Sequence, residues 1–334
     1  MYCNSCLKLI PKNLEIKCAQ CGVPLCQACA NHCMTCNKPL CDDCYASGNY
    51  KCEDCGGTEK GMTSIRRSFI EQYNSCPHSL KLQLIENITP PMSSYAQLGI
   101  IVHELIEKAS STEVTLPEIL DELSERIIDW NLNTEDDYST ITMDLEEVGK
   151  VSLKNFWSLK NELNVGKFVS EQNIKYSIDD SLPEISCTLD RIRWDNDENI
   201  HIHDWKTGKT MSGKRLAEDL QPPLYIYAVY KEYGKLPKTF NLHYLAHQKH
   251  IQYKQINDSN MYQVQTSRSN YILDIDEALG RAKEILKKIQ ANKFPIPKES
   301  WRCDKMCWYS KAGICKKGNA EEWRNLNKQY AEEE

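Results

Sequence analysis

Apolar residues recur three and four positions apart over 64–86, 93–110, 116–131 and 143–164, a spacing that predicts four helices. The period then shortens. Alternation predicts strands near 168–178, 184–195 and 199–206, followed by a helix over 213–233, a strand pair within 239–265 and a helix over 274–292. The polar run Asp195-Asn196-Asp197-Glu198-Asn199 between the second and third strands is turn chemistry, so those strands form a hairpin. This order of helices and strands predicts an α/β fold, a central mixed sheet flanked by helices. The helices at about 112–164 read as an acidic insertion ahead of that sheet.

The first sixty residues break the pattern. Six CxxC pairs occupy them: Cys3/Cys6, Cys18/Cys21, Cys26/Cys29, Cys33/Cys36, Cys41/Cys44 and Cys52/Cys55. CAQCGVPLCQAC (18–29) and CMTCNKPLCDDC (33–44) share one spacing and the same Pro-Leu before the third cysteine, a fifteen-residue repeat. Each CxxC turn offers two thiolates to one tetrahedral ion, so twelve cysteines match about three Zn²⁺ sites. The gap of four inside each repeat suggests interleaved sites of a RING-like or FYVE-like kind, with the pairing left open. The module's lysines and acids balance, and twelve thiolates with three divalent ions leave it about six charges negative. That is a poor match for phosphate, and it favours a structural or protein-contact role.

The chain of 334 residues, 41% hydrophobic, can bury a sizeable core. No run of eighteen apolar residues occurs, and the opening residues lack a signal-peptide apolar region, so a soluble, intracellular protein of the cytoplasm or nucleoid is expected, without membrane attachment. Seventeen cysteines in a chain of that kind point to metal rather than disulfides. Charge is uneven despite a modest net of -6. Residues 112–147 carry twelve carboxylates against Arg126, whereas 281–317 carry eleven basic residues against three acids. A phosphate backbone would avoid the first and could follow the second, although solvated helix faces have the same composition.

Candidate chemistry sits on the predicted hairpin. Strand 184–195 (EISCTLDRIRWD) carries Asp190, and the next strand carries Asp204-Trp205-Lys206. The hairpin sets the two carboxylates side by side, a pair of hard ligands suited to Mg²⁺ or Mn²⁺. Lys206, two residues beyond Asp204, shares its face, where an ammonium can stabilise the charge of phosphodiester cleavage. His203 falls on the opposite face, and Glu104 about 100° around a helix from His103. Gly208-Lys209-Thr210 mimics the end of a phosphate-binding loop, but His203 stands where its first glycine belongs.

With these residues in view, the chain resembles the RecB-family branch of the PD-(D/E)XK nuclease superfamily, which includes AddB-type and CRISPR-adaptation nucleases. LGIIVHELIEKA (98–109) resembles that family's histidine motif, TLDRIRW (188–194) the motif of its first acid, with Cys187 where glycine is usual. DWKTGK (204–209) is similar to its core triplet, and LQPPLYIYA (220–228) to its Q-x-x-x-Y helix. The resemblance implies a restriction-endonuclease-like core over 67–317, with His103, Asp190, Asp204 and the Trp205 carbonyl holding Mg²⁺ or Mn²⁺. Lys206, Gln221 and Tyr225 complete the catalytic set. It further implies a [4Fe–4S] cluster on Cys76, Cys303, Cys307 and Cys315, because iron–sulfur members place one cysteine before the core and three after it; Zn²⁺ is the rival in that all-thiolate site.

Residues 1–57 would then form the zinc module, 58–66 a linker and 318–334 a terminal helix or tail. The expected function is a metal-dependent DNA nuclease, an exonuclease on single-stranded or opened DNA in repair, recombination or replication. The zinc module could recruit a protein partner such as a helicase or a replication or recombination factor. The alternative is a repair or replication scaffold whose nuclease-like core mainly binds DNA.

Overall fold

The structure, a computed structural model, describes residues 16–19, 24–25, 30–32, 38–40, 64–86, 88–134, 139–211, 213–266, 270–297, 303 and 307–315. Two short antiparallel hairpins come first, β1 (Ile16–Lys17) with β2 (Pro24–Leu25) and β3 (Asn31–His32) with β4 (Pro39–Leu40). The second repeats the first at the fifteen-residue interval of the sequence repeat, and Leu25 and Leu40, equivalent in the two, are both fully buried. Ala19 donates its N–H to Pro39 O at 2.7 Å across the pair. Of the cysteines assigned to zinc, Cys18 is described and buried. Cys3, Cys6, Cys21, Cys26, Cys29, Cys33, Cys36, Cys41, Cys44, Cys52 and Cys55 lie outside the described residues, as does the 318–334 tail.

Then come β5 (Ser64–Arg66), α1 (Arg67–Ser75), α2 (Pro77–Leu84), α3 (Ser94–Ser111), α4 (Leu116–Leu132) and α5 (Met143–Leu163). The strands β6 (Lys167–Tyr176), β7 (Glu184–Trp194) and β8 (Ile200–Lys206) lead to α6 (Gly213–Glu218) and α7 (Gln221–Tyr233). The chain continues through β9 (Thr239–Tyr244), β10 (Lys249–Gln255), β11 (Met261–Gln265), β12 (Asn270–Asp274), α8 (Ile275–Gln290) and α9 (Trp308–Lys311).

Three expected elements divide. The 64–86 helix opens as a strand and breaks at Cys76, which is extended (φ -162°, ψ 98°) because Pro77 disfavours helical backbone before it and itself starts α2. The 213–233 helix splits at Asp219-Leu220, and Pro222 and Pro223 fall in the first turn of α7, where missing N–H groups cost nothing. The 239–265 pair is three strands, and β12 adds a fourth that the sequence pattern did not show.

Two compact units share the chain: Met1–Ile88 with Ser177–Ser186 and Ala282–Glu334, and Thr89–Tyr176 with Cys187–Arg281. In the first, β5 runs parallel to Glu184–Ser186. Tyr73 stacks obliquely on Phe294 at 5.8 Å and donates its hydroxyl to Lys293 O at 2.6 Å, while Lys283 pairs with Asp179.

In the second unit the sheet runs β12-β11-β10-β9-β8-β7, with β6 also on β7. The β8–β9 pairing is parallel; β7–β8 and β9–β10 are antiparallel, so the sheet is mixed and its helices flank it. β9 is buried at all six positions, as expected of a central strand covered on both faces. The acidic helices are one layer of this unit. Ile119, Leu123 and Ile127 of α4 and Leu153 and Phe156 of α5 close a core with Leu98, Val102 and Leu105 of α3 and with Trp205 of β8. Gly149 sets how closely the helices approach, since a Cβ there would meet Leu98 Cδ1 at 2.9 Å and Leu123 Cδ2 at 3.2 Å. The carboxylates of α4 and α5 lie on the outer faces, where Glu122 and Glu146 take ion pairs from Lys108, Arg126 and Lys150. Among the described residues no helix is long and apolar enough to cross a membrane.

Candidate active site

β7 and β8 pair with Arg191 opposite His203 and Ile192 opposite Ile202, so one further step along the ladder sets Asp190 opposite Asp204. Period-2 alternation sends Asp204 and Lys206 to one face and His203 and Trp205 to the other. The side chains confirm it. Lys206 Nζ lies 2.6 Å from Asp204 Oδ2 and donates to Gln221 Oε1 at 2.9 Å, and Gln221 Nε2 donates to Asp204 Oδ1 at 2.6 Å. Gln221 stands at the start of α7, oriented by the Asp219 carboxylate, which accepts its backbone N–H at 2.9 Å. The result is a closed ring of lysine, acid and amide that fixes the ammonium. Tyr225, one turn along α7, is buried against Phe240 with ring centroids 6.1 Å apart.

Asp190 is held differently. Its Oδ2 accepts the Trp205 N–H at 2.7 Å, and its Oδ1 lies 3.4 Å from His103 Nδ1. The other ring nitrogen of His103 stands 3.0 Å from Trp205 O. α3 thus delivers the histidine to the acid and the carbonyl expected beside it. Glu104, next along α3, turns away to Arg126 at 2.6 Å.

A fourth group arrives that sequence reasoning missed. Glu171 of β6 offers a carboxylate oxygen that lies, with one atom each of His103 and Asp190, within a mutual 4.8 Å, a grouping able to hold a metal ion. Its backbone has φ +48°, in the left-handed region that non-glycine residues avoid, so surrounding structure must hold it there. Neither the kink nor the acid's direction has a signature in KFVSEQNIKY. Asp204 does not join that trio; its oxygens go to Lys206 and Gln221.

The electrostatics follow the geometry. Burial pushes the Glu171 carboxyl up to about 7, with Asp190 adding to it. Burial also disfavours charge on Asp190, but His103 and Lys206 outweigh it and hold that carboxyl below the usual range. Burial raises Asp204 despite the lysine beside it. Burial works against a charged His103, yet the adjacent Asp190 carries it up to about 9. Three carboxylates crowded round one lysine and one histidine make a site whose negative charge a cation would balance.

The second candidate centre lies wholly in the first unit. Cys76 precedes α2, Cys307 precedes α9, and Cys315 closes the turn after α9, donating its N–H to Tyr309 O at 2.9 Å. Tyr309 in turn donates its hydroxyl to Ile88 O at 2.8 Å. Burial raises the Cys76 thiol, with Cys307 and Cys303 adding to it, and burial with Cys307, Cys76 and Cys303 pushes Cys315 up to about 11. The four thiols are therefore neighbours electrostatically, yet among the described residues no three stand within 4.8 Å of one another. Cys187, the odd cysteine, is buried in β7 with its sulfur 3.8 Å from Ile174 O.

A family model described as the PD-(D/E)XK nuclease superfamily matches residues 67–315. The chain belongs to that superfamily. The α/β fold is the one expected of it, and divalent metal is the cofactor of such nucleases. Among solved structures, one from Eubacterium rectale named "Putative exonuclease" is 10% identical, covering 82% of this chain and 92% of that one with a TM-score of 0.43. Another, named SSO0001, is 12% identical, covering 65% and 94% with a TM-score of 0.31. Among curated proteins none matches.

Proposed function

We propose that this superfamily member is a metal-dependent deoxyribonuclease of the RecB-like branch, acting as an exonuclease on single-stranded or opened DNA. One observation carries the reading: a lysine locked by Asp204 and Gln221 stands beside a half-buried grouping of His103, Glu171 and Asp190. Two carboxylates, an imidazole and the Trp205 carbonyl form a mostly oxygen donor set that fits Mg²⁺ or Mn²⁺. A divalent ion bound there supplies Lewis-acid polarisation of the phosphodiester and activation of water.

The chain's own residues do the rest. Asp190 and Glu171 present carboxylate oxygens, and His103, tied to the Trp205 carbonyl, keeps that edge of the site rigid. Lys206 places its ammonium where charge develops on the phosphate, held between the Asp204 carboxylate and the Gln221 amide oxygen. Tyr225 packs on Phe240 of β9 and so helps to position α7.

The four cysteines of the first unit are assigned to a [4Fe–4S] cluster, with Zn²⁺ as the rival in the same all-thiolate site. The amino-terminal cysteines, paired as CxxC in the sequence, are assigned to about three Zn²⁺ and to contact with a protein partner.

The direct test is digestion of end-labelled single-stranded and duplex DNA with Mg²⁺ and with Mn²⁺, alongside Asp204→Ala and Lys206→Ala. Metal-dependent cleavage by the wild type and its loss in both variants is the expected result. Cleavage retained by both would end the proposal, and DNA binding without cleavage by the wild type would favour the scaffold reading. Anaerobic purification with iron, sulfide and zinc assays tests the two cysteine assignments.

A further inference from the structure

One fully buried charge stands behind the acid–lysine hairpin. Arg191 follows Asp190 in β7, and alternation sends its side chain to the other face of the sheet, the face of His203 and Trp205. None of it is exposed, and among the described residues no carboxylate pairs with it. Arginine stays protonated in proteins, so a full positive charge lies in the core. Burying a charge without a counter-ion is costly, and apolar residues of similar volume often serve stability as well or better. Cohesion alone therefore does not account for an arginine here.

Its contacts do. Nη1 donates to Asn164 Oδ1 at 2.8 Å, just past the end of α5, and Nη2 donates to Ser110 Oγ in α3. Ser110 is free to accept because its own proton goes to Ile106 O at 2.7 Å. The guanidinium carbon lies 4.6 Å from the ring centre of Phe168 in β6 and 5.7 Å from that of Trp205 in β8. A third ring, Phe156 of α5, is centred 6.0 Å away and meets Trp205 edge-on at 5.5 Å. At these distances a cation is attracted to an aromatic ring.

The elements it touches are those that carry the candidate metal ligands. α3 brings His103, β6 brings Glu171, β8 brings the Trp205 carbonyl, and Arg191 itself is one residue from Asp190. Trp205 is the most direct link. Its ring packs against the guanidinium, while its N–H and carbonyl meet Asp190 and His103. A rigid planar fork can tie several elements at fixed angles, which a lysine cannot. We propose, on the metal-site reading above, that Arg191 is a positioning residue. It holds α3, β6 and β8 at the separation at which His103, Glu171, Asp190 and the Trp205 carbonyl close on one divalent ion. It touches neither the ion nor the substrate, yet it sets the affinity for the metal.

Arg191→Met separates positioning from cohesion. The full-length variant should melt at or above the wild-type temperature, because an apolar side chain replaces an unpaired buried charge. Its Kd for Mn²⁺, measured by calorimetry, should nevertheless rise about tenfold or more. Asp190→Asn identifies which part of the titration belongs to this site. Arg191→Lys keeps the charge and loses the fork, and should bind Mn²⁺ as weakly as Arg191→Met. Ser110→Ala removes only the tie to α3 and should weaken Mn²⁺ about three- to tenfold. Wild-type affinity in any of these three variants would overturn the proposal. An Arg191→Met chain that fails to fold would overturn it too, by making the arginine structural. A wild type with no Mn²⁺ site sensitive to Asp190→Asn would instead sink the metal-site reading, and this inference with it.

Discussion

The acid–lysine site and the four-cysteine site are both candidate metal centres, but they are assembled by different means. The first hangs on neighbouring strands. Asp190, Asp204 and Lys206 come from one hairpin within seventeen residues, and the ladder that pairs Arg191 with His203 brings the acids together automatically. The second collects Cys76 from one end of its unit and Cys303, Cys307 and Cys315 from the other, more than two hundred residues away in the chain. Contacts such as Tyr73 to Lys293 and Tyr309 to Ile88 hold those ends, yet α9 is a single turn. A site on a sheet owes its geometry to backbone hydrogen bonds and survives the loss of a ligand. A site that joins chain ends supplies part of the cohesion itself.

The sharpest way to break that contrast is paired substitution. Asp190→Asn should cut DNA cleavage on the order of 10³-fold while the thermal midpoint stays near that of the wild type, because the β7–β8 ladder remains. Cys307→Ala should instead strip the iron and destabilise its unit by about 3 kcal/mol, read as proteolysis around α2 and α9 at temperatures the wild type resists. A stable Cys307→Ala protein with intact iron would erase the distinction. Next in size, Glu171→Gln should raise the Mn²⁺ concentration for half-maximal cleavage by about ten- to a hundredfold with little change in the rate at saturation. An unchanged metal requirement would return the ligand set to His103, Asp190 and Asp204.

The smallest effect concerns the sheet as a rigid frame. Burial, with His250 and Arg191 nearby, brings the His243 imidazole down to about 3 in the folded protein. The unfolded chain, with a pKa near 6.5, binds the proton first as pH falls. Stability is therefore full above about pH 6.5 and declines towards pH 3, by about 2 kcal/mol at pH 5. Denaturant titrations at pH 7.5 and 5 measure it, and His243→Phe should flatten the acid limb. An equal slope in both proteins would show that this ring titrates freely.

Much of the catalytic side was legible in the sequence because its chemistry is local. Alternation along IHIHDWK separates Asp204 and Lys206 from His203, and the polar turn before it forces the hairpin; the structure has both. The motif around His103 likewise marks a helix that brings an imidazole to Asp190. Helix breaks at Cys76-Pro77 and Asp219-Leu220 were less visible, since apolar spacing continues across them while the prolines dictate local backbone. The strand β12 escaped notice because, with one of its five residues buried, it leaves little apolar alternation to read.

What the sequence determined by itself, then, is the α/β order of elements, the pairing of acid and lysine on one strand face, and the fifteen-residue cysteine repeat. Each rests on periodicity or spacing, which residues a few positions apart carry between them. The tertiary structure decided that α4 and α5 belong to the core beneath Trp205, that Gln221 clamps Lys206, and that Glu171 bends in beside His103. Those outcomes depend on which surfaces meet and on a left-handed backbone residue that only packing can hold. No short-range pattern encodes either.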